Sequence, residues 1–255
     1  MAAEHLIYPL EKIRVIDNAT LQVETARPPS PLRWVWEWAK SLLIAFVLFL
    51  FIRTFLVEAF RIPTGSMENT LLVGDFLLVN KAVFGAQIPI VHLNLPALAQ
   101  PRRGEVVVFM PPHDQGKYYV KRVLGMPGDT IEMREKRLYV NRRRQREPYV
   151  RLGSQPGDAY APSMIWQCDF RPSNTRRRCR PTRDNWGPVV VPPGNFLMLG
   201  DNRDDSEDSR YWGFVERSAI KGRPLFIYYS FDASRLRVLP WLTEIRWNRI
   251  GGVIS

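Results

Sequence analysis

Three short stretches of this sequence carry groups that could perform covalent chemistry together. The first, Phe60-Arg61-Ile62-Pro63-Thr64-Gly65-Ser66-Met67-Glu68-Asn69-Thr70-Leu71-Leu72, presents Ser66 on a small turn. Pro63 fixes φ on the way in, and Gly65 allows a backbone shape that a Cβ would resist. A serine hydroxyl acts as a nucleophile when a base lies within hydrogen-bond reach and donors await the carbonyl oxygen. The usual base is histidine, and the chain has three. His5 precedes the long apolar run. His92 and His113 lie in Pro-rich loops, and His113-Asp114 offers half of a triad by composition alone.

Lys121, in Tyr118-Tyr119-Val120-Lys121-Arg122-Val123-Leu124, is the stronger candidate. Strand alternation puts it on one face with Tyr119 and Val123, and turns Arg122 to the other. An apolar face disfavours the ammonium and lowers the amine's pKa from about 10.4 toward neutrality, as a general base requires. A guanidinium stays protonated, which excludes Arg122. Alone, Lys121 would read as a strand lysine whose amine reaches solvent. The third stretch, Gly200-Asp201-Asn202-Arg203-Asp204-Asp205-Ser206-Glu207-Asp208-Ser209-Arg210-Tyr211-Trp212-Gly213, changes that. It supplies a hydroxyl, Ser206, and paired charges, Asp208 and Arg210, that could orient a buried amine. Ser218-Ala219-Ile220-Lys221 has the spacing of another Ser/Lys class, but that class's K-T-G companion is absent.

These groups need a frame. Residues 1–33 are polar and end in a Pro-rich link, reading as a tail without a core. From Trp34 the chain is apolar, and Trp38 to Val57 makes roughly 30 Å of helix, enough to cross a hydrocarbon core. Three tryptophans suit an interfacial belt, and Arg53 can snorkel. A cleaved leader fits poorly, since the polar region ahead is too long and no small-x-small site follows. Residues 34–58 therefore read as a transmembrane anchor. Arg27, Arg33 and Lys40 before it, against Arg61 close behind, put the N-terminus inside and the rest outside. Beyond the anchor the pattern turns to β, with strands expected at Asp75–Val79, Gly104–Phe109, Tyr118–Leu124, Thr130–Met133, Arg137–Val140, Val189–Val191, Asn195–Leu199 and Pro224–Ser230. That pattern implies a mostly β domain of sandwich or open-barrel type over residues 59–255. Residues from about 134 to 186 read as an Arg- and Pro-rich insertion carrying a hairpin. The apolar loop from Ile88 to Leu98 reads as a lipid-touching surface or a buried connection.

The 255 residues carry 36 Lys+Arg against 25 Asp+Glu, a net charge of +11. This suits an anionic partner. No nucleic-acid-binding motif accompanies the arginine clusters, so acidic lipid is the better match, with a solvated basic loop equally open. Cys168 and Cys179 are the only cysteines. Two cannot make a tetrahedral zinc site unaided, and they suit either a short disulfide loop in an oxidising compartment or two free thiols.

Taken together, Phe60–Leu72, Lys121 and the 200–213 loop resemble the bacterial type I signal peptidases, membrane-anchored Ser/Lys endopeptidases that cut leader peptides from exported proteins. The blocks agree in content, order and spacing; the tail and the insertion do not contribute. The resemblance implies a signal-peptidase-like β catalytic domain with a small inserted β region, tethered by one N-terminal transmembrane helix. It implies cleavage after small residues of the Ala-x-Ala type, with Ser66 as nucleophile and Lys121 as general base. The Ser66 N–H and the Thr64 hydroxyl would form the oxyanion hole; the family commonly has serine where Thr64 stands. Ser206 would hydrogen-bond the lysine, supported by an Asp208–Arg210 salt bridge, while Asp205 stands where many relatives have asparagine. Phe60, Ile62, Met67, Leu71 and Val120 would line the pockets for the small substrate side chains, core packing being the ordinary reading for each. No metal or other cofactor is implied. The expected partners are signal peptides of exported preproteins and the phospholipid bilayer, with no nucleic acid. The expected state is a monomer in the bacterial cytoplasmic membrane, N-terminus cytoplasmic and catalytic domain outside. A basic β-domain that merely binds lipid or nucleic acid is the competing class, and steep salt dependence without need of Ser66 would mark it. A peptidase with one specialised client would carry the same blocks and would differ in which precursors accumulate on depletion.

Overall fold

A computed structural model describes residues 31–85, 96–153, 157–158, 160–172, 179–234 and 238–254. His5, His92 and most of the apolar 88–98 loop lie outside them. The chain divides into two units, Met1–Leu48 and Phe49–Ser255, each described by itself. Helix α1 spans Pro31–Phe51 and continues as a π-helical turn over Ile52–Leu56. Leu32–Leu56 is long and apolar enough to cross a membrane. The helix stops two residues before the expected end of the anchor. From Val57 the backbone is extended, and strand β1, Val57–Arg61, pairs antiparallel with β2, Asp75–Asn80.

The second unit is mostly β. Its larger sheet has seven strands in the order β1-β2-β11-β3-β4-β9-β10, where β3 is Val106–Phe109, β4 Tyr119–Gly125, β9 Asn195–Leu199, β10 Val215–Glu216 and β11 Ile220–Ser230. Its pairings are antiparallel throughout. The smaller sheet has the order β7-β6-β5-β8, with β5 at Thr130–Arg134, β6 at Arg137–Val140, β7 at Arg143–Arg144 and β8 at Trp186–Val190. The expected insertion thus contributes part of a second sheet, together with a 3-10 helix over Pro162–Cys168. Two short helices, α2 (Ser209–Trp212) and α3 (Pro240–Thr243), complete the unit.

Alternation explains where the core sits. β3 is buried on both faces: Val106 and Val108 pack with Ile62, Met67, Leu71, Leu77 and Val79, whereas Val107 and Phe109 pack with Val123, Phe196, Met198 and Ile220. Strands that read as continuous apolar runs are covered on both sides in this way. A third cluster joins β4 and β9 to the smaller sheet through Leu124, Leu197 and Leu199 against Ile131, Met133, Leu138 and Val189. The first cluster takes Ile62, Met67 and Leu71 from the Ser66 turn and the second takes Val123 from the Lys121 strand, so both candidate groups sit on packed elements.

Candidate active site

The turn carrying Ser66 leaves β1 and returns into β2. The Ile62 N–H donates to Asp75 O at 2.8 Å and the Gly74 N–H to Ile62 O at 3.0 Å, closing its neck. Inside it, the Leu71 N–H reaches Met67 O at 2.8 Å. Met67 and Leu71 drive their side chains into the core beneath, and Pro63, Thr64 and Ser66 stay at the surface. The role expected of Gly65 is corrected. Asn69, at φ 93°, is the left-handed residue of this turn, and Gly65 is not. A Cβ at Gly65 would lie 3.2 Å from the Glu68 carboxyl group, which pairs with Arg151 and would have to shift slightly.

β4 turns Lys121 and Arg122 to opposite faces, and both are buried. Arg122 is satisfied: Nε and Nη2 bind Asp201 at 2.9 and 2.7 Å, Nη1 donates to Gly104 O at 2.6 Å, and Nη2 reaches the Thr70 hydroxyl at 3.2 Å. Its guanidinium also lies 3.8 Å from the centre of the Tyr149 ring. Lys121 differs. Its side chain makes no hydrogen bond or salt bridge among the described residues, and burial pulls its pKa down to about 8. Asp208 works against that shift and Arg210 with it. An amine of this kind is substantially neutral at mildly alkaline pH.

The 200–213 loop is buried and densely bonded. Asp208 accepts from the Gly200 N–H at 3.0 Å, from the Arg210 N–H at 3.2 Å, and from Arg210 Nε and Nη2 at 2.8 and 2.9 Å. Burial pushes the Asp208 carboxyl up, but the Arg210 charge and these bonds outweigh it and hold the pKa below the usual carboxylate value. Arg210 also donates to the carbonyls of Arg203 and Ser206, at 2.7 and 3.2 Å. The salt bridge expected between Asp208 and Arg210 therefore exists and fixes the backbone at Ser206. The hydrogen bond expected from Ser206 to Lys121 is not formed: among the described residues the Ser206 hydroxyl is buried without a partner.

Two residues that sequence reasoning passed over tie this loop to the Ser66 turn. The Asn202 N–H donates to Ser66 O at 3.1 Å, and its side-chain amide to Gly65 O at 3.1 Å. Gly200 lies between the two: a Cβ there would fall 2.2 Å from Ser206 Oγ and 2.5 Å from Ser66 O. Nothing in the sequence names partners 137 positions apart. The available signal was only that a Gly-Asp-Asn opening precedes the charged run.

A groove of about 1020 Å³ runs along these elements, lined by Thr64, Ser66, Lys121 and Ser206. Of the expected substrate contacts, Phe60, Ile62, Met67 and Val120 also line it. Leu71 does not: it is fully buried among Leu77, Val79 and Val106, because the turn aims it inward. Among the described residues, neither the Ser66 N–H nor the Thr64 hydroxyl donates a hydrogen bond. His113 reaches the groove, but its ring is stacked on Trp212 at 5.7 Å, while Asp114 pairs with Lys117 at 3.1 Å, so no His-Asp pair forms. Ser218 and Lys221 lie away from the groove; Lys221 Nζ donates to Ser218 O at 3.3 Å, and the Ser218 hydroxyl to Glu216. Cys168 and Cys179 are joined in a disulfide. No cluster of His, Cys, Asp and Glu among the described residues could hold a metal ion.

A mostly β chain that gathers a serine, a buried unpaired lysine and a preformed groove has the makings of a peptidase, and comparison with known proteins gives the class. The family model described as "Signal peptidase, peptidase S26" matches residues 35–229, and the chain belongs to that family. Among curated proteins it is similar to the signal peptidase I of Pseudomonas aeruginosa, 38% identical over 226 residues covering 82% of this chain and 78% of that protein. It is similar to the signal peptidase I of Pseudomonas fluorescens at 36% over the same shares. The Bacillus licheniformis signal peptidase I is 30% identical over 79% of this chain and 92% of its own length.

Proposed function

We propose that this chain removes N-terminal signal peptides from exported preproteins, with Ser66 as nucleophile and Lys121 as general base. The observation that carries the reading is a buried lysine with no hydrogen bond or salt bridge among the described residues, lining one groove with a serine whose own N–H donates none there. The neutral Lys121 amine takes the Ser66 Oγ proton as Oγ attacks the carbonyl carbon of the scissile bond. The oxyanion rests on the Ser66 N–H and the Thr64 hydroxyl, donors already unpaired and so needing no reorganisation. The Lys121 ammonium returns its proton to the leaving amine. The lysine then deprotonates a water that hydrolyses the acyl-enzyme. The Asp208–Arg210 pair fixes the loop that carries Ser206, and the Ser206 hydroxyl, unpaired in the structure, takes a hydrogen bond from the amine during the reaction. Phe60, Ile62, Met67 and Val120 give the groove apolar walls that suit small side chains ahead of the cut, of the Ala-x-Ala type.

The apolar helix of residues 32–56 supports a single-pass anchor in the cytoplasmic membrane; the proposal puts the N-terminus in the cytoplasm and the β unit outside, and has the enzyme act as a monomer. The disulfide agrees with an oxidising compartment. Tethering enzyme and substrate in one bilayer raises their effective concentration. The test is cleavage of an exported precursor by purified Ser66→Ala and Lys121→Ala. Each should lose roughly 10⁴-fold or more in kcat. Full activity in either would sink the assignment. Because the base must be neutral, kcat/KM should fall tenfold per unit as pH drops below about 8, the pKa of the buried amine. A flat profile down to pH ~6 would count against Lys121.

A further inference from the structure

The turn joining β5 to β6 consists of Glu135 and Lys136, at φ 49° and 63°. Two successive left-handed residues make the tight hairpin turn that matches strand twist, ordinarily filled by Asn-Gly or Asp-Gly. Glu and Lys gain nothing there by themselves, so their surroundings must hold the conformation. The Glu135 N–H donates to Asn185 Oδ1 at 2.9 Å, and the Lys136 N–H to Asp184 O at 3.1 Å. Lys136 Nζ then reaches both oxygens of Asp204, at 2.9 and 2.8 Å. The Asp204 side chain is only 2% exposed, lines the groove, and belongs to the 3-10 turn that leads into Ser206. Arg183 Nε, at 3.3 Å, is its second cation.

We propose that Lys136 is a positioning residue for the reaction: through Asp204 it fixes the 203–206 turn, and with it the place of Ser206 on the groove shared with Lys121. The proposal rests on the Ser66–Lys121 reading. It gives the smaller sheet a task, since a hairpin tip outside the groove lining locks the loop that organises the base. Other contacts converge on the same loop from residues 134–186. Glu147 pairs with Arg203, the Arg203 N–H donates to Arg151 O at 3.0 Å, and Trp166 and Gln167 both donate to Arg210 O, at 3.1 and 3.0 Å. Lys136 and Arg183 both grip the groove-lining Asp204, and Lys136 makes the shorter contacts, to both carboxylate oxygens.

A loosened turn would admit water to Lys121, whose amine is kept neutral chiefly by burial. The charges acting on that amine, Asp208, Arg210, Glu207 and Asp201, all sit on this loop. Arg61, His113, Lys117, Asp204 and Asp205 also line the groove, as do Tyr118, Tyr119 and Tyr211, and the Ser66 turn beyond Arg61 offers it hydroxyls, backbone and apolar groups.

The experiment uses the full-length chain in phospholipid vesicles, with precursor cleavage followed from pH 6 to 10. In Lys136→Met, kcat should fall roughly tenfold with KM within about twofold, and the acid limb should move to higher pH. Lys136→Arg should restore kcat to within about threefold of the parent, and Asp204→Asn should reproduce the deficit. An unchanged kcat and pH profile in Lys136→Met would overturn the proposal. So would a loss that tracks unfolding by near-UV circular dichroism and that arginine does not rescue. Ser66→Ala runs alongside: cleavage surviving there refutes the catalytic reading itself, whereas a silent Ser66→Ala with normal Lys136→Met refutes only the positioning role.

Discussion

The Ser66 turn and the 200–213 loop border one groove and are built on opposite principles. The turn keeps its reactive groups bare: the Ser66 N–H and the Thr64 hydroxyl are unpaired, and Thr64 is exposed. The loop is saturated, with Asp201, Asp204, Asp208, Arg203 and Arg210 all buried and all in ion pairs. Buried charges of this kind cost solvation and repay it only with good geometry, so they contribute shape more than stability. The difference teaches that bareness has to be held in place. Among the described residues Lys121 and the Ser206 hydroxyl stay without a hydrogen-bond partner, while the buried charges beside them, Asp201, Asp208 and Arg210, are held in ion pairs.

Among changes that leave both reactive groups in place, the largest effect should come from pushing the two regions apart. Gly200→Ala places a methyl within 2.5 Å of Ser66 O and closer still to Ser206 Oγ. Cleavage should fall by about a hundredfold while the protein remains folded, since a shift near 1 Å at reacting groups costs that much. Near-parental kcat with normal circular dichroism would show that the two regions are not rigidly coupled.

A second prediction sharpens the contrast by removing the bare base. The Lys121 pKa is about 8 folded and 10.5 unfolded, so the folded state binds fewer protons between those values and stability rises with pH across that window. Below pH 8 the cost is complete, on the order of 3 kcal/mol. Lys121→Met should therefore be inactive yet more stable than the parent at pH 7, its advantage shrinking as pH approaches about 10.5. Thermal unfolding at a series of pH values reads this directly, and a less stable variant at pH 7 would contradict the bare-amine description.

The smallest effect concerns Thr64. Thr64→Ser keeps the hydroxyl and drops a methyl that restricts χ1, so kcat should stay within about threefold of the parent, in precursor cleavage assays. A larger loss would mean that the methyl itself places the donor.

Much of this was legible in advance where the physics is local. Alternation located β4 and put Lys121 on a buried face, and hydroxyl and charge content marked the 200–213 loop. β1 was not legible, because Val57-Glu58-Ala59-Phe60-Arg61 follows the apolar helix without a break and owes its strand state to pairing with β2. β7 and β10 are two residues each, too short to show a period. Leu71 could not be separated from the groove-lining apolar residues, since composition does not tell which way a turn aims a side chain. Arg122 read as a bystander until its carboxylate partner appeared 79 positions away.

The sheet order has a consequence in time. β11, near the C-terminal end of the chain, lies between β2, which receives the Ser66 turn, and β3, which pairs with the Lys121 strand. The sheet that carries nucleophile and base is therefore closed only once residues 220–230 have been made and inserted. Long-range pairing of this sort is slow. A nascent chain carries its serine and its lysine well before it has a cutting edge, and it acquires that edge in one late step.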